Sequence, residues 1–164
     1  MIIMKIPTPV FIIGFLVLIA GLFVIAQQSN FDSQGYAEAD IIKVLGTQTL
    51  VLGANCTGIV ADTTEERASA IQSGIDKKIE ARPSIYDNYI DTMKSFNISV
   101  ERVTLDRYDG NYYYSNIFLR SQDKLLKIDA KPSDAIAVAL KANASVFINK
   151  SLLAEVGKNI CERA

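Results

Sequence analysis

The run LLKIDAKPSDAIAVALK, residues 125–141, changes its hydrophobic period halfway along, and that change decides the fold. In its first half Leu126, Ile128 and Ala130 alternate with Lys127 and Asp129, the two-residue period of a half-buried strand. From Ser133 to Ala142 it reads as a helix. Between them lies Lys131-Pro132-Ser133-Asp134. Proline disfavours helical geometry in the residue before it, so Lys131 is expected to be extended. Ser133 is expected to cap the helix with its hydroxyl, at a cost of ~1 kcal/mol if replaced by Ala. Asp134 would sit in the first turn, facing the positive end of the helix dipole. Those roles account for three of the residues and leave Asp129 over. By strand parity Asp129 faces away from the core with Lys127, and Asp106 does so with Arg102 and Thr104. Two aspartates of neighbouring strands are therefore expected to share a face near a helix start.

Upstream, the apolar runs ADIIKVLG, QTLVLGA and CTGIVAD are separated by Gly, Asn and Thr and read as a three-stranded meander. A helix follows the capping and acidic residues Asp62 to Glu66, with Ala68, Ile71, Ile75 and Ile79 at helical spacing to about Glu80. After Arg82-Pro83 a second helix starts at Ser84, with Ile85, Tyr89, Met93 and Phe96 as its core stripe. SVERVTLDRYDG, NYYYSNIFLRS and DKLLKIDA form a second meander, turning at Asp109-Gly110 and Gln122-Asp123. A strand, SVFINK, and a short helix, SLLAEVGKN, close the chain. The strand after the Ser133 helix reads as a crossover, which makes the sheet mixed. The predicted class is α+β, a mixed and mostly antiparallel sheet of short strands with three to four helices, occupying residues 39–164.

The N-terminal part is different in kind. Residues 1–9 form a flank, and the run from Val10 to Ala26 carries no charged side chain. Seventeen residues at ~1.5 Å each span roughly 26 Å, the lower end of what a bilayer core needs, and Gln27 and Gln28 extend the helix into the interface. A retained transmembrane anchor over 10–28 is expected rather than a cleaved signal peptide, whose apolar part is usually only ~7–15 residues long. Residues 29–38, polar with Gly and Ser, read as a linker. Lys5 precedes the span and the next basic residue is Lys43, so the N-terminus is expected inside and the domain outside the cell membrane in a single-pass arrangement. Sequons at Asn55, Asn97, Asn143 and Asn149 agree with export, although turn-rich chains contain such triplets by chance. Cys56 and Cys161 are read as two thiols rather than a disulfide, since Cys161 lies near a chain end.

A net charge of -1 gives no general electrostatic footprint for nucleic acid, so any such ligand needs a local basic patch. The chain has no histidine, which excludes an imidazole general base and a histidine-bound metal. It also lacks a Gly-rich phosphate loop, a CxxC pair and a GxSxG elbow.

The run IDAKPSDAIAVALKANASVFINKSLLAEVG resembles the bifunctional nuclease domain family, whose hallmark is Asp-Ala-Arg-Pro-Ser-Asp-Ala-Ile-Ala before a helix, a strand and a short helix. The likeness extends upstream through Glu65-Glu66-Arg67-Ala68, Arg82-Pro83 and VTLDRYDGNYYYSNIFL, over roughly residues 39–160. It implies a compact α+β domain, often dimeric, with RNase and DNase activity. The matching positions are Arg82, Pro83, Asp87, Asp129, Pro132, Ser133, Asp134 and Ala135. Lys131 stands where the family commonly has arginine, keeping the charge without the planar fork. Tyr86 stands where the family often has histidine.

The resemblance leads to a membrane-anchored, metal-dependent nuclease cleaving RNA or DNA. Asp129, Asp134 and Lys131 are its catalytic candidates, and Arg82 and Ser133 its substrate-binding ones. Asp129 and Asp134 would hold a divalent cation, Mg or Mn. The expected partners are the membrane, nucleic acid and further copies of the chain. The alternative is a noncatalytic interaction or dimerisation module at the membrane surface.

Overall fold

The computed structural model describes Phe31, residues 33–79 and residues 81–161. The predicted anchor, residues 10–28, lies outside these. No helix among the described residues is long and apolar enough to cross a membrane.

The strands form two sheets where the sequence pattern had been read as one. In the first, β2 (Ile41–Leu45), β3 (Thr49–Ala54) and β4 (Thr57–Asp62) make the expected meander, and β9 (Lys158–Asn159) joins its edge. The second contains β1 (Tyr36–Glu38), β5 (Ser99–Tyr108), β6 (Tyr113–Ser121), β7 (Lys124–Ala130) and β8 (Ser145–Asn149), in the order β1-β8-β5-β6-β7. Its pairs are antiparallel except β5 with β8, which run parallel across the expected crossover helix. The last three residues of the expected linker form β1. Tyr36 pairs with Asn149, and its hydroxyl donates to Asp106 Oδ1 at 2.7 Å.

The helices are α1 (Glu65–Ile75), α2 (Ile85–Ser95), α3 (Pro132–Ala142) and α4 (Lys150–Val156). α1 stops short of the expected Glu80 because its end is closed by a left-handed residue. The Lys77 and Lys78 N–H groups donate back to Gly74 O and Ser73 O, with Lys77 at φ 50°. α2 and α3 end the same way, at Asn97 (φ 56°) and Asn143 (φ 57°). Asn55 occupies a left-handed turn as well, and Asn149 caps α4, so backbone geometry explains all four sequon asparagines. Asparagine tolerates this conformation better than lysine. Lys77→Gly is therefore expected to raise stability by roughly 0.5–1 kcal/mol, read as the shift in a urea unfolding midpoint.

α3 lies on one face of the five-stranded sheet, against β5, β6 and β8. Ala135, Ala137 and Ala139 are fully buried and bring its backbone close, while Ile136 and Val138 fill the space beside them. Val103, Leu105, Ile117, Leu119, Val146 and Ile148 meet it from the sheet. On β6, Ser115, Ile117 and Leu119 are buried, whereas Tyr114, Asn116 and Phe118 on the other face are only half-buried. The α2 stripe is correct for Met93 but fails at its ends: Ile85 is 73% and Phe96 70% exposed.

Cys56 and Cys161 form a disulfide, contrary to the two-thiol expectation. Cys161 is held in place by the residues before it. β9 pairs Lys158 with Gly58 and Asn159 with Thr57, and the Ile160 N–H donates to Cys56 O, which brings the two Cα atoms to 5.0 Å.

Candidate functional site

β7 runs directly into α3. Lys131 is extended (φ -63°, ψ 137°) and is itself the N-cap, with Pro132 at the first helical position. Ser133 is therefore inside the helix and does not cap it, so the stability cost expected for Ser133→Ala falls away. The similar Pro-Ser step at Pro83-Ser84 behaves differently. There Ser84 is the cap, because Asp87 three residues on completes a capping box, whereas the residue three after Ser133 is Ile136. Lysine has no acceptor for the first-turn N–H groups, and α3 begins without a side-chain cap.

This uncapped start opens on a cleft of about 750 Å³ between the two sheets. Asp129, Lys131 and Ser133 line it from the β7–α3 corner, and Asp62, Thr64 and Arg67 from the end of β4 and the start of α1. Tyr112, Tyr113 and Tyr114 close it from the β5–β6 hairpin. Tyr112 is 71% exposed. Tyr114 is fixed by its hydroxyl donating to Asp109 Oδ2 at 2.6 Å and by the Arg107 guanidinium 3.4 Å from its ring centre.

Asp134 stands behind this lining. Its Oδ1 accepts from Arg67 Nε at 2.9 Å and from the Tyr86 hydroxyl at 2.8 Å, so one carboxylate joins α1, α2 and α3. Burial, followed by the hydrogen bond to Asp134, pushes the Tyr86 pKa up to about 12, and the phenol stays a donor. The hydrogen bond to Asp134 likewise raises the Arg67 pKa. Arg67 was missed as a site residue, yet it left a signal. A cation in the first turn of a helix opposes the dipole unless an acid outside the helix answers it.

Of the sequence candidates, then, Asp129, Lys131 and Ser133 share one cleft, with Asp134 holding Arg67 in its wall. Arg82 lies exposed in the α1–α2 loop and is not part of that wall. Asp106 is on a strand separated from β7 by β6, so the expected neighbouring-strand pair does not exist. Its carboxylate accepts from Tyr36, Thr104 and Asn116, and it pins β1 to the sheet. Among the described residues no three His, Cys, Asp or Glu side chains converge to hold a metal ion.

Asp87 belongs to a second cleft, of about 570 Å³, where it accepts from Ser84 Oγ at 2.6 Å and pairs with Lys141 Nζ at 2.9 Å. The Ser84 hydrogen bond, with Lys141, lowers its pKa to about 2. A carboxylate depressed on folding stabilises the native state fully above its unfolded pKa and loses that stabilisation as pH falls through the folded one. Wild type should therefore lose about 1–2 kcal/mol between roughly pH 4 and pH 2. Urea midpoints of Asp87→Asn should lack that component of the acid loss.

A family profile described as "Bifunctional nuclease domain" matches residues 54–160, more than half of the chain. The chain belongs to the bifunctional nuclease domain family. The matched span contains every residue that lines the large cleft except Leu50 of β3. Two uncharacterized proteins of Mycobacterium tuberculosis, one from strain CDC 1551 / Oshkosh and one from strain H37Rv, are each 29% identical over 97 residues. These cover 57% of this chain and 55% of each relative, so the chain spans about half the length of the curated relatives it matches.

Proposed function

We propose that the large cleft binds nucleic acid through its phosphates and cleaves phosphodiester bonds. One observation carries this reading: in a bifunctional nuclease domain, Lys131, Arg67 and Asp129 line one cleft at an uncapped helix start, together with an exposed tyrosine. Lys131 and Arg67 contact the phosphate, with the Ser133 hydroxyl and the α3 amide groups completing its cradle. Tyr112 offers a face on which an unpaired base stacks. Asp129 accepts the proton of the attacking hydroxyl or water. Asp134 does not touch substrate; it holds Arg67 in place.

Asp129, with Asp62 as the other carboxylate of the cleft lining, would hold a Mg or Mn ion bound together with the substrate. Such an ion would neutralise charge on the phosphoryl oxygens. Purified chain should degrade labelled RNA or single-stranded DNA, assayed with and without each cation. No cleavage by wild type under any of these conditions would leave the interaction module as the better account.

The apolar run 10–28 and the single early Lys5 support a membrane anchor with the domain outside. The disulfide between Cys56 and Cys161 supports it too, because such bonds persist in oxidising compartments. Protease digestion of the domain in sealed right-side-out vesicles tests the arrangement.

A further inference from the structure

The second cleft, beside Asp87, takes no part in the chemistry proposed for the large one and shares no lining residue with it. It opens between the end of α1, one side of α2 and the end of α3. Its floor is made where α1 and α3 touch: a Cβ on Gly74 would stand 2.7 Å from Leu140 Cβ, so glycine alone allows this approach. Lys141, its side chain only 10% exposed, lies in that floor and donates to Asp87 at 2.9 Å and to Ser73 Oγ at 3.2 Å.

Around the floor Lys77, Lys78 and Lys94 stand exposed, and Asp91 is the other acid of the lining. Four lysines against two aspartates leave two positive charges in one cleft of a chain whose net charge is -1. Helix ends explain two of them, since Lys94 and Lys141 stand in last turns and offset the negative end of the dipole. They do not explain Lys77. It holds a left-handed conformation (φ 50°) that suits glycine. Among the described residues the ammonium groups of Lys77 and Lys94 have no ion-pair or hydrogen-bond partner. The mouth of the cleft is apolar instead, with Ile79 94% exposed and Pro83 beside the same opening. A volume of about 570 Å³ is that of a small-molecule site.

We infer that this cleft binds a nucleoside monophosphate. Its two surplus charges match a phosphate monoester, which carries roughly -1.5 to -2 at neutral pH. A diester inside a nucleic-acid strand brings only one charge and is the poorer match. Lys77 and Lys94 meet the phosphate oxygens, while Lys141 adds its charge from the floor without leaving Asp87. The nucleoside covers Ile79 and Pro83 and removes their apolar surface from water. Occupancy of this cleft does not rest on cleavage in the other.

Full-length chain in detergent is titrated calorimetrically with adenosine 5′-monophosphate, adenosine and inorganic phosphate, at low salt and without divalent cations. The monophosphate should bind once per chain, at least about tenfold more tightly than adenosine or phosphate. Lys77→Gly and Lys94→Gln should each weaken it about fivefold. Lys77→Gly is the sharper probe, because it should raise the urea midpoint while lowering affinity, a pairing that a damaged fold cannot give. Lys131→Met should bind the monophosphate like wild type. The assignment is overturned by absent or unsaturable binding, by phosphate binding as tightly as the monophosphate, or by unchanged affinity in both lysine variants. Loss of binding in Lys131→Met overturns it too, since the nucleotide would then occupy the large cleft. Cleavage by the same preparations is read separately, so either site can fail without the other.

Discussion

Lys131→Met is expected to lower phosphodiester cleavage roughly 100-fold while shifting the melting temperature by less than about 2 °C. The expectation follows from what Lys131 does and does not touch. Its side chain is exposed and makes no hydrogen bond or ion pair with any described residue, while its backbone carbonyl accepts the Ala135 N–H that starts α3. Methionine keeps the backbone and much of the stem and removes only the charge. A charge with no partner among the described residues, set where α3 begins uncapped, is free to meet a ligand. Asp134 is a poorer probe for the same question. Removing its carboxylate frees Arg67 and Tyr86 at once, so stability and rate would fall together and the two causes would not separate. Initial rates on labelled RNA and single-stranded DNA, set beside thermal melts of the same preparations, make the check. Equal rates for wild type and Lys131→Met would remove the phosphate role of Lys131.

The β7–α3 corner was legible because two periods meet at a proline, and each is a local property. What the sequence pattern missed is non-local. That Pro132 takes the first helical position is told only by Ile136, which stands where the Pro83-Ser84 step has the acid of a capping box, Asp87. The Asp134 partnership was hidden because Arg67 and Tyr86 lie on two other helices. Its one trace was a cation at the wrong end of α1. Ile85 and Phe96 matched the core stripe of α2 and are nonetheless exposed, since periodicity identifies an apolar face without saying whether this chain or another covers it. The same holds for β7, whose alternation is correct although Leu126 has no cover. The second sheet was missed because strand patterns carry no record of which strands pair.

Cys161→Ser is expected to cost about 4 kcal/mol, the largest stability loss for any single exposed residue of this domain. The bond joins residues 105 apart, and closing a loop of that length removes roughly 4.7 kcal/mol of chain entropy from the unfolded state. Native interactions at the tail would survive in part, since Ile160 packs over Gly53 and Gly58, where any side chain would collide with its Cδ1 atom. They are few: two β9 pairs and one further backbone hydrogen bond. For a domain of this size the loss corresponds to a melting temperature lower by roughly 15 °C. Cys56→Ser should match it, and the double variant should lose no more than either single one, because both remove the same bond. Reductant should lower the wild-type melt by the same amount and leave the variants unmoved. That contrast also bears on topology. If the domain faces the cytoplasm, chain extracted under thiol-trapping conditions should carry two maleimide labels and melt like Cys161→Ser; if it faces outward, it should carry none and melt with the bond intact.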